Sequence, residues 1–370
     1  MRWYKMNEYD LHINDNDNAN IQGATMESHA GFHRLESETF PSLKSETKHV
    51  GFPQENLNAD YYNNNPDYRG NPTYTKEQWR ALAQMTEELG MYMVTEIDLP
   101  AHSLLYNKYA IENPDNIDWL SGGIHYTGNE LNTDGGIELM DLTGPNAQRA
   151  LQFGRALWDE YTRGEEPTIY GDIVHIGADE FYLSGTNYRQ FFNEMVPYIK
   201  ETNTIRLWGS LTYMNDNNQT KIIPEAIEDV QMNLWSAGWA NFQDMFDMGF
   251  QLINTIDTYG YMVPNGNGNK GAYRDYLNLD SVFSSFKPNQ VGGITLPASD
   301  DQILGAAFAI WNDNIDRKSS GLTESDIFVR FFNALPLYAE KTWAPTGQEK
   351  GSASAITKLA DKIGIAPNTN

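Results

Sequence analysis

The stretch "DIVHIGADEFY", residues 172–182, begins as an apolar, β-branched run and ends in two adjacent carboxylates, Asp179 and Glu180. Neighbouring acids repel each other when both are charged, so packing alone gives no reason to set them at the end of a strand. A lone Asp-Glu pair there reads most simply as a strand entering a solvated loop. The same design recurs along the chain, and the recurrence decides the fold. "YDLHI" (9–13), "MYMVTEI" (91–97), "TIRLW" (204–208), "VQMNLW" (230–235), "FQLINTI" (250–256) and "ILGAAFAIW" (303–311) are short apolar runs that close on polar or aromatic residues.

Helical patterns lie between them. "TKEQWRALAQMTEELG" opens with a capping box, Thr75 to Gln78, and stops at Gly90, where a C-terminal glycine is expected. "GPNAQRALQFGRALWDEYTRG" has Pro145 near its start and apolar residues at helical spacing. "ESDIFVRFFNALPLYAEKTW" is a third helix, which Pro336 is expected to bend or break. Strands alternating with helices give βα units and a parallel sheet. Seven strands, in a chain that opens on what reads as the tail of a helix, predict an α/β fold: a (β/α)8 TIM barrel missing its first β-strand. No GxGxxG or GxxxxGK[ST] follows the first strand, which weighs against a nucleotide-binding fold. No linker divides the chain, so residues 1–370 read as a single domain. The Asn-rich connections 14–31, 51–74, 112–140 and 263–272 are expected to be loops.

Composition narrows the partners. The net charge of −24 repels nucleic acid and anionic membrane surfaces alike. A neutral partner such as a sugar is compatible with it. With no cysteine, disulfides, thiolate catalysis and Cys-ligated zinc are excluded. No run reaches the roughly 18 apolar residues of a membrane span, and no signal peptide is visible.

In a barrel of this kind the active site forms at the C-terminal ends of the strands. Those ends present, in order, Asp15; Asp98 and His102; Asp179 and Glu180; Trp208; Trp235; Asp257 with Tyr259 and Tyr261; and Trp311 with Asp313. A single strand-end tryptophan is more often core than ligand platform, but packing does not explain acids or aromatics at all seven ends. Tryptophans beside carboxylates suit a carbohydrate, whose C–H faces stack on rings while its hydroxyls bond to acids. The run from Asp15 matches a calcium loop only in its first residues, HExxH is absent, and neither Ser103 nor Ser210 lies in a nucleophile elbow.

"HIGADE" (175–180) resembles the HxGxDE signature of glycoside hydrolase family 20, the β-N-acetylhexosaminidases and lacto-N-biosidases. "YKMNEYDLHIND", "TEIDLPAHS", "FHRLESETFPSL", "INTIDTYGYMVP" and "GAAFAIWNDN" are similar to further segments of that family, so the resemblance runs from Tyr4 to about Trp343. It implies one catalytic barrel, truncated at its N-terminus, that acts on β-linked N-acetylhexosamine glycans. Catalysis would be retaining and substrate-assisted, with the 2-acetamido group as nucleophile. It implies no cofactor and no metal.

By the same resemblance Glu180 is the general acid and then the base. Asp179 accepts a hydrogen bond from the acetamido N–H, and Tyr261 bonds the acetamido oxygen, with Tyr259 as the alternative two residues away. His102 and Asp15 would support the acid. Trp208, Trp235 and Trp311 would wall the sugar pocket, with Asp313 binding sugar hydroxyls. His175 either joins the site or only braces it. The family's sugar-gripping arginine belongs to the first barrel strand, and Arg2 lies on the helix side instead. The family suggests an extracellular or cell-surface bacterial enzyme. The leading expectation is an exo-β-N-acetylhexosaminidase releasing GlcNAc or GalNAc. A lacto-N-biosidase releasing a disaccharide, and a carbohydrate-binding protein with impaired catalysis, are the alternatives.

Overall fold

Seven strands hydrogen-bond in chain order into one all-parallel sheet: β1 (Glu8–His12), β2 (Tyr92–Glu96), β3 (Ile173–His175), β4 (Thr204–Trp208), β5 (Gln231–Leu234), β6 (Gln251–Asn254) and β7 (Ile303–Ala306). The computed structural model describes residues 1–16, 31–43, 73–113, 138–211, 221–297, 300–315, 322–344 and 351–364. Most of the loops expected at 14–31, 51–74 and 112–140, and with them most of the run from Asp15 to Met26, lie outside those residues.

Alternation within the strands explains why the sheet curls. Along β4, Ile205 and Leu207 face the helices while Arg206 and Trp208 face the other way. Arg206 Nη2 reaches Glu8 Oε2 on β1 at 2.7 Å, and Trp208 Nε1 donates to Glu96 Oε1 on β2 at 2.6 Å. On a flat sheet β1 and β4 would be about 14 Å apart with their side chains parallel. These contacts therefore need a concave face, as in a barrel wall. β1 and β7 pair on one side only among the described residues.

The convex face carries the apolar core. The helix Gly144–Thr162 buries Leu151, Phe153, Leu157, Trp158 and Tyr161, and the helix Gly185–Lys200 buries Phe191, Phe192 and Met195. Each such side chain contributes about 1.5–3 kcal/mol on burial. Trp79, on the helix Lys76–Glu88, donates its indole N–H to Thr95 Oγ1 at 3.1 Å and so fastens that helix to the back of β2. Thr75 and Gln78 form the expected capping box, and Gly90 takes a positive φ of 67° just past the helix end.

Two sequence expectations need correction. The helix Glu324–Trp343 runs through Pro336 without breaking. The proline forfeits one backbone hydrogen bond, but it is itself buried, and that burial outweighs the loss. "ILGAAFAIW" is not one strand. A register shift lies within β7, between Ile303 and Gly305; the strand ends at Ala306, and Ala309–Ile310 then pairs in parallel with Tyr261–Met262. The helix that follows returns to the first turn of the chain: Trp343 Nε1 donates to the Lys5 carbonyl at 3.0 Å, and Tyr4 packs edge-on to Phe332. Among the described residues no helix is long and apolar enough to cross a membrane.

A short antiparallel pair, Asn14–Asn16 with Gly31–His33, crosses the end of β1. It buries His33 between the hydroxyls of Tyr106 (3.0 Å) and Tyr161 (2.9 Å). Burial pushes this ring down to about 3, against the pull of Glu160. The unfolded chain therefore takes up a proton below about pH 6.5 that the folded protein refuses, and stability is lost as pH falls from there toward 3. His33→Gln, which can still hydrogen-bond but does not titrate, should flatten the slope of unfolding free energy between pH 6 and 4 by about 1.4 kcal/mol per pH unit. Urea unfolding at three pH values reads it. An unchanged slope would show that His33 does not drive acid sensitivity.

Candidate active site

β3 ends at His175, and the next five residues form a tight turn with φ of 63° at Gly177, 73° at Ala178 and 51° at Glu180. Left-handed backbone at two non-glycine residues is strained, and such strain gathers where side-chain placement matters. Asp98 holds the turn by accepting the Ala178 N–H on Oδ1 at 3.0 Å. A Cβ at Gly177 would lie 1.9 Å from that same oxygen, so only glycine fits there. Inside the turn His175 Nδ1 accepts the Gly177 N–H at 3.0 Å. His175 is fully buried and pushed down to about 4, chiefly by burial. It braces the turn.

The two acids leave this turn into different surroundings. The Glu180 side chain is 41% exposed, and its Oε2 lies 3.3 Å from His102 Nε2. His102 Nδ1 faces Asp15 Oδ1 at 3.0 Å. Burial would lower His102, but Asp15 and Asp98 outweigh it and hold the ring well above its ordinary value. Asp15 is correspondingly held far below the carboxylate range by His102 and His12, against its own burial. Asp179 is different: its Oδ1 is buried with no hydrogen-bond partner. Burial, then the charge of Asp98, pushes its carboxyl well up. Asp98 is itself pushed up to about 7 by burial, against His102.

Opposite the acids stands an aromatic wall. Tyr261, Trp208 and Trp235 form one buried cluster, with Trp239 and Trp311 packed against it. Tyr261 lies parallel to Trp235 at 6.1 Å and edge-on to Trp208 at 6.3 Å. Trp311 sits 5.7 Å from Tyr261 and 5.9 Å from Trp208. The pairing of Ala309–Ile310 with Tyr261–Met262 sets these two rings side by side. Burial, and then the charge of Asp179, raises the Tyr261 hydroxyl well above its ordinary value, so it keeps its proton and remains a donor. Tyr259 packs against Phe286 in the outer core instead. Asp313 is exposed by surface area though ringed by protein, and that partial burial followed by the charge of Asp15 raises it.

The structure thus gathers Asp15, His102, Asp179, Glu180, Tyr261, Trp208, Trp235 and Trp311 around one concavity, with Asp313 at its edge. It adds groups that sequence reading did not single out. Glu96 accepts from Trp208 beneath the pocket, and Asn14 brackets Asp98 by accepting its N–H at 2.7 Å and donating to its carbonyl at 3.0 Å. Tyr273 bonds Asp257 at 3.0 Å and packs edge-on to Tyr261. The alternation Glu8, Asp10, His12 against Tyr9, Leu11, Ile13 was a visible sign of polar inward positions on β1. Asp98, His102 and Asp179 bring donor atoms within 4.8 Å of one another. A packed network of acids and imidazoles has that spacing without an ion, and we assign none.

With this geometry in hand, comparison with known proteins is decisive about kinship. The family model described as "Glycosyl hydrolase family 20, catalytic domain" matches residues 1–190, just over half of the chain, and the chain belongs to that family. A β-hexosaminidase of Emericella nidulans is 19% identical over 335 residues, covering 77% of this chain and 52% of that protein. The chain thus spans about half the length of this curated relative. Among solved structures, a family 20 β-N-acetylglucosaminidase superposes with a TM-score of 0.65 at 17% identity, covering 100% of this chain and 71% of that one. The β-N-acetylhexosaminidase of Streptomyces coelicolor A3(2) gives 0.64 at 17% identity, covering 100% and 66%. At this identity the likeness establishes the (β/α) barrel fold.

The turn at Gly177 offers a direct check. Gly177→Ala should destabilise the protein by about 1–3 kcal/mol from the left-handed backbone alone, with more for displacing buried Asp98. Chemical denaturation measures it. A variant as stable as the parent would mean that the turn does not need its glycine.

Proposed function

We propose that this chain is a retaining exo-β-N-acetylhexosaminidase that removes a terminal N-acetylhexosamine from β-linked glycans. The substrate's own acetamido group is the nucleophile, and residues 1–370 act as one catalytic unit. The observation that carries this reading is the contrast within the acid pair. Glu180 is accessible and backed by an imidazole, whereas Asp179 has a buried oxygen without a partner and is near enough to Tyr261 to raise its hydroxyl. Adjacent carboxyls in such different settings suit different duties.

The sugar ring lies against Trp208, Trp235 and Trp311, with its acetamido group between Asp179 and Tyr261. The acetamido oxygen attacks the anomeric carbon as the glycosidic C–O bond breaks, and Glu180 gives its proton to the departing oxygen. The cyclic intermediate carries a positive charge shared with its N–H. Asp179 accepts that N–H on the oxygen that lacks a partner. Burial and then Asp98 raise Asp179; it takes part as the carboxylate, the form that the growing positive charge beside it favours. Water then adds to the anomeric carbon and loses its proton to Glu180, which restores the amide. His102 steadies the Glu180 carboxylate while it is charged. Positioned proton transfer of this kind contributes about 10²–10⁴-fold.

A panel of p-nitrophenyl β-glycosides of GlcNAc, GalNAc, lacto-N-biose and glucose tests the reading. Cleavage of the N-acetylhexosaminides with no action on glucose is expected. Efficient hydrolysis of the glucoside would overturn substrate assistance. Release of lacto-N-biose alone would shift the assignment to disaccharide removal, and binding without hydrolysis would leave a sugar-binding protein. Glu180→Gln should cut turnover of a natural disaccharide by about 10²–10⁴-fold while an activated aryl glycoside, which needs less protonation, loses less. Equal losses on both would remove Glu180 from the acid role.

A further inference from the structure

The acid support does not end at Asp15. Its Oδ1 faces His102, and its Oδ2 lies 3.0 Å from Nε2 of a second imidazole, His12 on β1. On its other side His12 Nδ1 is 3.0 Å from Glu96 Oε1, an ion-pair contact whose angle falls short of a hydrogen bond. Glu96 Oε1 also accepts the Trp208 indole N–H. A continuous row therefore runs Trp208, Glu96, His12, Asp15, His102, Glu180, from the pocket wall to the exposed acid. Trp311 stands edge-on to the His12 ring at 5.3 Å and limits its movement.

Two consequences follow from elementary electrostatics. A carboxylate bonded through one oxygen can still rotate, whereas Asp15 is held at both. That fixes the oxygen that meets His102 Nδ1, and so fixes where His102 Nε2 meets Glu180. Glu96 is almost fully buried and needs a cation to stay charged there. Burial works against it, but the His175 and His12 rings and the Trp208 N–H bring it down to about 2. His175 itself sits at about 4 and is uncharged at neutral pH, which leaves His12 as the cation. The ionisable groups facing His12 are Asp10 on its own strand, Glu96 and Asp98 from the neighbouring one, Asp15, His175 and Asp313. Acids predominate among them, and burial of His12 is outweighed by Glu96 and Asp15, so its ring is held well above the ordinary value.

We propose that His12 is a positioning residue for the acid–base carboxyl: clamped between Glu96 and Asp15, it locks Asp15 against His102 and thereby aims Glu180 at the leaving oxygen. This rests on the assignment of Glu180 as acid and base. His12 acts through Asp15 and His102, and Glu96 anchors it to the Trp208 indole of the aromatic wall.

The test separates aim from architecture. His12→Gln and Glu96→Gln are assayed with a natural β-linked disaccharide of N-acetylglucosamine and with a dinitrophenyl N-acetyl-β-glucosaminide, which needs little help from an acid. Active-site titration with a thiazoline mimic of the cyclised intermediate corrects for any misfolded fraction. For His12→Gln, kcat on the disaccharide should fall about 10–100-fold, the range seen when an outer partner that orients a functional imidazole is removed. KM should change little, and the aryl substrate should lose no more than about threefold. Glu96→Gln keeps an acceptor for the Trp208 indole and should show the same split in weaker form. Equal losses on the two substrates, or a loss carried by KM, would overturn the proposal. If neither variant folds, nitrogen NMR of the unaltered protein decides. Both nitrogens of His12 should be protonated at neutral pH, and a singly protonated ring defeats the idea. If the unaltered protein cleaves neither substrate, the parent assignment fails and takes this one with it. If it cleaves both and His12→Gln shows no split, only the role of His12 is lost.

Discussion

Charge balance on the concave face of the sheet is the constraint on which the rest of this structure depends. Glu8, Asp10, His12, Glu96, His175 and Arg206 occupy inward positions that in most barrels are filled by Val, Ile or Leu. Such groups survive burial only when paired or neutral. Arg206 meets Glu8, His12 meets Glu96, and Asp15 is shared between His12 and His102. Three cations thus face three anions. The remaining acids, Asp10, Asp98 and Asp179, are all pushed up, with burial first among the causes. That shift toward the neutral form lowers the negative charge the interior has to carry. The same pairings draw β1, β2 and β4 toward one another, so the curl of the sheet and the electrostatics of the pocket share one origin.

A polar interior has a cost that a packed apolar one avoids. Replacing buried ion pairs with hydrophobic residues is often neutral or stabilising, while removing one partner is expensive. Stability here comes from the convex face, where Trp79, Phe153, Trp158, Tyr161 and Phe192 pack against the sheet's outer residues. That division lets the concave face be specified by chemistry. It also explains the turn at 177–180: the glycine at 177 makes room for Asp98, and the left-handed residues beside it turn Asp179 inward and Glu180 outward. The backbone strain there is offset by the hydrogen bonds of Asp98 and His175.

The strands, their order and the class of fold could be read from seven apolar runs, because period-two alternation and helical spacing are local signals. The acid pair and the tryptophans could be read from their place at strand ends. Tyr261 over Tyr259 needed the structure, since both lie in one aromatic segment and only the pairing with Ala309–Ile310 puts the first in the wall. Of the two outcomes expected at Pro336, a break did not occur, because propensity describes an exposed helix and tertiary burial overrode it. Glu96 was hidden for another reason. Inside strands, a charged residue reads as solvent-facing until the curl reveals a second, enclosed surface. The hairpin Asn14–Asn16 with Gly31–His33 is too short for periodicity to find, and its partner segments are separated by residues with no regular pattern.

The overall charge of −24 acquires a meaning beside the proposed reaction. A negative field gives a neutral glycan no advantage in binding, but it favours any step in which the substrate becomes positive. In the free pocket that field is a liability, and with burial it raises Asp179 and Asp98 toward the neutral form. As the acetamido group closes onto the anomeric carbon, a cation appears next to Asp179 and favours its carboxylate form. The carboxyl is then at its most effective only when the charge it must meet is present. Stabilisation concentrated in the transition state raises turnover instead of merely tightening binding. An acid-rich pocket in which burial raises some of the carboxyls is one physical way to achieve it.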